Sequence, residues 1–192
     1  DVYKRQVLDV ADYVLDIHST RAPVQPFWVY PEIDRNTALA AAVGAPAVQL
    51  VMPAGRFPGT GVLNYGRHGD PASNSGGALV VECGQHFAQS AADLATDVTL
   101  RFLAHLGLID TPAAAAPPPP AQPFRLLEVH MVKSEDFSFV RPVIGFEVFN
   151  KGELIAINAG EEIRSPCDHC TIFMPTRMPI VGREGVYLTE PM

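Results

Sequence analysis

The chain has 192 residues, 47% of them apolar, and carries a formal net charge of −7. That length buries one sizeable core, or a core with a small satellite, while 14 Lys and Arg against 21 Asp and Glu leave no basic footprint for nucleic acid or an anionic membrane surface. No apolar run approaches the roughly 18 to 20 residues of a membrane span and no signal-peptide pattern is present, so the expectation is a soluble, cytoplasmic protein acting on a small molecule.

The first six residues, DVYKRQ, match the translation of a sequencing-library adaptor read in one frame. Residues 1–6 are therefore expected to be adaptor-derived and the natural sequence to resume at Val7, with part of the gene lost upstream; a genuine charged tail is the alternative. Residues 12–17 follow as a strand, because Tyr13, Val14, Leu15 and Ile17 are β-formers in a near-continuous apolar run that suits a strand covered on both faces. It ends at His18-Ser19-Thr20. A Pro- and aromatic-rich loop comes next (Pro23, Pro26, Phe27, Trp28, Tyr30, Pro31), then an Ala-rich helix over 35–43, stopped by Gly44 and Pro46.

A strand is predicted over 47–51, a loop dense in Gly, Asn and Pro over 59–74, and a third buried strand over 78–82, with Gly84 allowing a turn just beyond it. Ser90 and Asp93 resemble a capping pair opening the strongest helix. Leu94, Val98, Phe102 and Leu106 recur every fourth position, so that helix runs to about Gly107. Strand and helix alternate in an α/β order, which implies a mixed or parallel sheet with flanking helices over residues 7–110.

Residues 111–123, TPAAAAPPPPAQP, read as a linker, since consecutive prolines favour an extended polyproline II backbone. Residues 124–192 carry short β-type runs (126–132, 137–140, 146–149, 154–157, 171–174 and 186–188) separated by turn signals such as NKG and NAG. They predict a small all-β domain.

Candidate chemistry falls at strand ends, where ligands bind in open α/β sheets. His18 lies in DIHST and Glu82 in VVECGQH. Each alone has a bland reading, a hydrogen-bonded structural histidine or a strand-end carboxylate. Asp16, two residues before His18 on the same side of the strand, either orients the imidazole or bonds a neighbouring loop. The motif CDHC, from Cys167 to Cys170, lacks a second ligand pair for structural zinc and lies outside a βαβ context, which favours a turn with reduced thiols over a metal or redox role. With Cys83 the cysteines number three, too few for a disulfide framework.

DYVLDIHST followed by ALVVECG, with REGVYLTEP near the end, resembles the succinylglutamate desuccinylase and aspartoacylase family, zinc-dependent amidohydrolases related to the metallocarboxypeptidases. The resemblance covers nearly all of residues 7–192. It implies a partial zinc-carboxypeptidase-like mixed sheet with flanking helices, followed by a small C-terminal all-β domain. It also implies His18 as a zinc ligand, Glu82 as general base, and an N-acyl amino acid or related small molecule as substrate.

An arginine would meet the substrate carboxylate through its planar donor fork. Arg67 is the first candidate and Arg21 the second, each with a solvated surface Arg as the alternative; His86 either lines the pocket or is an ordinary loop histidine. Family members carry two further zinc ligands in an H-x-x-E arrangement upstream of the Asp-x-His strand. No such motif precedes His18 here, so zinc is expected to bind weakly and this fragment to be nearly inactive. The alternatives are a non-catalytic small-molecule-binding module, with the β domain supporting a homo-oligomer, and a carboxypeptidase-type peptidase.

Overall fold

The computed structural model describes residues 2–55, 61–110 and 117–192. Two compact units divide the chain, Asp1–Pro123 and Phe124–Met192. Of the Pro- and Ala-rich stretch, residues 111–116 lie outside the described residues, as do 59–60 of the Gly-rich loop.

The first unit opens with helix α1 (Val2–Val10), which continues across Val7 and buries Leu8. Strand β1 (Tyr13–Thr20) follows, then β2 (Phe27–Pro31), α2 (Asp34–Val43), β3 (Val48–Met52), β4 (Gly77–Gln85) and α3 (Gln89–His105). The strand order is β1-β4-β2-β3. β1 is parallel to β4, β4 antiparallel to β2, and β2 parallel to β3. This is the mixed sheet with flanking helices that the α/β order implies.

Three local readings differ from the sequence expectation. The Pro- and aromatic-rich loop contains β2, whose Phe27, Trp28, Tyr30 and Pro31 are all buried. Four consecutive β-formers outweigh the flanking prolines, because a strand hydrogen-bonded on both edges and covered on both faces repays the ordering of those large side chains. β1 is not covered on both faces: it borders the sheet, and Tyr13 and Ile17 are exposed. Ser90 is not the cap of α3, since the helix starts at Gln89 with Ala88 at the N-cap and no side-chain cap bond. Asp93 instead accepts a hydrogen bond from Gln89 Nε2 at 2.9 Å, one turn earlier on the helix surface.

β4 divides its side chains by the period of two. Leu79, Val81 and Cys83 join Trp28 and Tyr30 in a core closed by Leu39, Ala40 and Val43 of α2 and Val98 and Phe102 of α3. Ala78 and Val80 pack on the other face with Leu63 and, partly buried, Val14 and Val29. α2 ends at Gly44, whose φ of 87° suits glycine and whose N–H donates to the Ala40 carbonyl at 2.9 Å.

The second unit holds two antiparallel sheets. One orders β5 (Gln122–Met131), β11 (Glu184–Pro191), β10 (Cys170–Phe173) and β7 (Val148–Phe149); the other orders β6 (Ser138–Phe139), β8 (Leu154–Asn158) and β9 (Glu161–Arg164). A shared core of Phe137, Phe149, Ile155, Ile163, Ile172, Val186 and Leu188 joins them. β9 has no counterpart among the predicted runs, because EEIR buries one residue in four. Among the described residues no helix is long and apolar enough to cross a membrane.

Candidate active site

The register of β1 against β4 decides which side chains meet. His18 pairs with Glu82, and Asp16 with Val80, so side chains at 16, 18 and 82 stand on one face of neighbouring parallel strands. His18 Nε2 lies 3.1 Å from Asp16 Oδ1, and His18 Nδ1 lies 3.6 Å from Glu82 Oε1. The first contact suits Nε2–H donating to Asp16. In the neutral ring this leaves the Nδ1 lone pair directed at the Glu82 carboxyl.

Glu82 is buried, and its Oε2 has no hydrogen-bond partner among the described residues. Burial pushes its carboxyl above the ordinary value, further helped by the Asp16 charge, while the nearby His18 and His86 imidazoles oppose the rise. A lone pair and a carboxylate oxygen that converge at 3.6 Å repel each other unless a proton or a cation lies between them. A metal ion at Nδ1 fits that donor set, but only as one ligand. Among the described residues no group of three His, Cys, Asp or Glu side chains converges to hold a metal.

Beyond His18 the two strands slip register. His18 pairs with Glu82 but Thr20 pairs with Gln85, so β4 carries one extra residue. Gly84 absorbs the irregularity at φ 105°. The chain then turns back onto the end of β1: the His86 N–H donates to the Thr20 carbonyl at 2.9 Å, Thr20 Oγ1 donates to the Gly84 carbonyl at 3.2 Å, and Ser19 Oγ lies 2.7 Å from His86 Nδ1. Gln85 ties the turn from both sides. Its Nε2 donates to the Arg21 carbonyl at 3.4 Å and its Oε1 accepts from the Phe87 N–H at 2.9 Å.

His18 and Glu82 thus lie inside their strands rather than past them, and β1 and the turn after β4 bring Asp16, His18, Glu82 and His86 together. Exposed Arg21 lies just beyond β1 at the same end. Arg67 is elsewhere: its Nη2 donates to the Ala11 carbonyl at 2.6 Å and pairs with Asp12 Oδ1 at 3.3 Å. Six residues of strand, about 20 Å, separate Asp12 from His18. Tyr65 and His68 extend the same grip on the start of the chain, the former donating to Asp9 Oδ1 at 2.9 Å and the latter, through Nε2, to the Leu8 carbonyl at 3.1 Å.

Ser19, which the sequence places beside His18, is joined on this turn by Gln85 and Phe87, which the sequence does not single out. Their only signal is adjacency to His18 and Glu82, and their contacts depend on the register slip. CDHC runs through the turn before β10 into its first residue, Cys170; its thiols are free, and burial pushes Cys170 up to about 11.

No protein-family model matches the chain, and no curated protein matches it. Solved structures do. Succinylglutamate desuccinylase from Vibrio cholerae superposes with a TM-score of 0.71 at 19% identity, over 99% of this chain and 57% of that one. The product-bound ectoine utilization protein EutE (DoeB) from Ruegeria pomeroyi gives 0.68 at 13% identity, over 100% of this chain and 61% of that one. A succinylglutamate desuccinylase/aspartoacylase from Rhodobacter sphaeroides gives 0.66 at 16% identity, over 98% and 61%. The chain has the fold of these proteins and spans less than two thirds of the length of each.

Proposed function

We propose that the Asp16, His18 and Glu82 cluster belongs to a hydrolase centre that cleaves the amide bond of an N-acyl amino acid or related small molecule. The carrying observation is the 3.6 Å approach of His18 Nδ1 to a buried carboxyl while Asp16 fixes Nε2. The similarity to solved desuccinylases and an aspartoacylase-type protein supports the same reading.

His18 would contribute one ligand to a zinc ion through Nδ1, held in orientation by Asp16. When bound, zinc supplies a water of lowered pKa and a polarised carbonyl. Glu82 takes the proton from the attacking water and delivers it to the departing amine; its raised affinity for that proton and its unpartnered Oε2 suit the shuttle. Of the two arginines, exposed Arg21 at the end of β1 is the candidate for a substrate carboxylate, since Arg67 is engaged by Ala11 and Asp12, and His86 lies on the turn beside Ser19.

The test measures amine release from N-acyl amino acids as zinc is raised, in wild type, Glu82→Gln and His18→Ala. A single histidine holds zinc weakly, so turnover is expected to be slow and to need zinc well above the protein concentration. Glu82→Gln should lower it by roughly 10²-fold with zinc uptake unchanged, and His18→Ala should lose both. Near-normal turnover in zinc-loaded Glu82→Gln would refute the assignment. A small-molecule-binding module without catalysis is the second reading. It is favoured by the lack, among the described residues, of a three-ligand metal group.

A further inference from the structure

We infer that Cys167 and Cys170 are a disulfide-forming pair, closed by exchange with a low-molecular-weight disulfide, that locks the crossover between the two sheets of the second unit. Spacing alone leaves CDHC as a turn with reduced thiols, since no further ligand pair accompanies it. The structure adds contact between the two side chains and a fixed backbone between them.

Asp168 and His169 are the central residues of a tight turn with Cys167 and Cys170 at its ends. The ends of such a turn lie within about 7 Å at Cα, and a disulfide spans roughly 4.4–6.8 Å. The two thiols are hydrogen-bonded to each other. Both face one apolar core, Cys170 as a fully buried member and Cys167 packed against its edge.

Every residue of the turn is also fastened. Ser165 Oγ donates to the Cys167 carbonyl at 2.7 Å, the Lys151 N–H donates to Asp168 Oδ1 at 3.0 Å, and Thr171 Oγ1 donates to the His169 carbonyl at 3.2 Å. Cys170 pairs with Phe149 of β7. Closure therefore needs little rearrangement, and it falls on the connection that carries the chain from β9 in one sheet to β10 in the other.

The surroundings suit a lasting bond better than a redox catalyst. A catalytic CxxC keeps a thiol of lowered pKa that leaves readily. Here burial raises both thiols, and at Cys167 the Glu190 and Asp168 carboxylates add to the rise while Lys151 opposes it. Thiolates that are costly to form leave slowly, so the disulfide, once made, resists reduction. Half-buried Cys167 is the thiol that a small disulfide reaches. Its thiolate attacks one sulfur and releases the first small thiol; Cys170 then loses its proton, attacks Cys167 Sγ and releases the second. Two protein thiols are oxidised to one disulfide, and the small disulfide is reduced to two thiols.

The test is intact mass and thiol count after the full chain has equilibrated with equal concentrations of reduced and oxidised glutathione. The product should be lighter by two hydrogens, should carry a Cys167 to Cys170 link in its peptide map, and should alkylate on unfolding at Cys83 alone, where the reduced chain offers three cysteines. Only excess dithiothreitol should reverse it. Cys170→Ala should stop with glutathione attached at Cys167, and folded Cys167→Ala should take up none. Amide hydrogen exchange over residues 165–173 should slow by about tenfold on oxidation, with β1 and β4 unchanged.

A wild-type chain that keeps three thiols at equilibrium overturns the inference, as does one that accumulates glutathione at Cys167 while Cys170 stays free, or one that pairs Cys83. Closure with unchanged exchange over 165–173 overturns the locking role. None of these readouts depends on amide hydrolysis.

Discussion

Arg35, in the first turn of α2, is predicted to hold the segment that leads into the Glu82 strand. Its guanidinium donates to five carbonyls: Nε to Gly76 at 2.5 Å, Nη1 to Ser73 at 3.0 Å, and Nη2 to Arg67 at 2.7 Å, Asp70 at 2.9 Å and His68 at 3.3 Å. Arg35→Met keeps most of the apolar stem and removes every donor. Counting the four bonds of 3.0 Å or less at about 1 kcal/mol each gives ~4 kcal/mol. Water reaches the partly exposed carbonyls and recovers part of this, so the expected loss is about 2–3 kcal/mol. The single tryptophan, Trp28, is fully buried in the core of the first unit and reports on that unit alone. Urea unfolding followed by its fluorescence should show a midpoint lowered by about 1 M, and thermal unfolding a Tm lower by roughly 5–10 °C. A loss below about 0.5 kcal/mol would refute the reasoning and make the five contacts replaceable by solvent.

Glu82→Gln should change how stability depends on pH in the metal-free protein. The Glu82 carboxyl is raised above its ordinary 4.5, so the folded state favours the protonated form; its contribution is complete below the unfolded value and is lost as pH rises through the folded one. Trp28 unfolding measured from pH 4 upward should show that loss in wild type and a flatter profile in the variant; parallel profiles would contradict the burial argument. Asp16→Asn removes the charge that orients His18 Nε2 and should weaken zinc binding by about tenfold in a calorimetric titration; an unchanged affinity would make the 3.1 Å contact incidental. The cysteines should resist thiol reagents at pH 7 in the native protein, with half-buried Cys167 reacting first and Cys83 and Cys170 only on unfolding, because burial raises all three thiols. Fast native reaction of Cys170 would count against that.

The α/β order, the helix over Leu94 to Leu106 and the β-rich character after residue 124 were legible from periodicity, and Asp16, His18 and Glu82 drew attention by residue type and by their places near predicted strand ends. β2 was not, since prolines on both sides of FWVY carry a loop signal that only burial on both faces outweighs. β9 was hidden because its residues are mostly exposed and polar, and its place depends on pairing with β8.

The site divides along the same line. Residue types and local spacing suffice to put Asp16 and His18 on one face of a strand, because a side-chain period of two is a property of the backbone itself. Which strand lies beside that face, and in what register, depends on contacts between residues far apart in sequence, and a slip of one residue would have turned Glu82 to the opposite face. Tertiary structure alone therefore set His18 against Glu82, tied Arg67 to Ala11 and Asp12, and fastened the backbone of the turn after β4 to the end of β1 through Gln85. The physical reason is that hydrogen-bonding groups on a turn choose partners by proximity in space, whereas a sequence specifies only what each residue is able to bond.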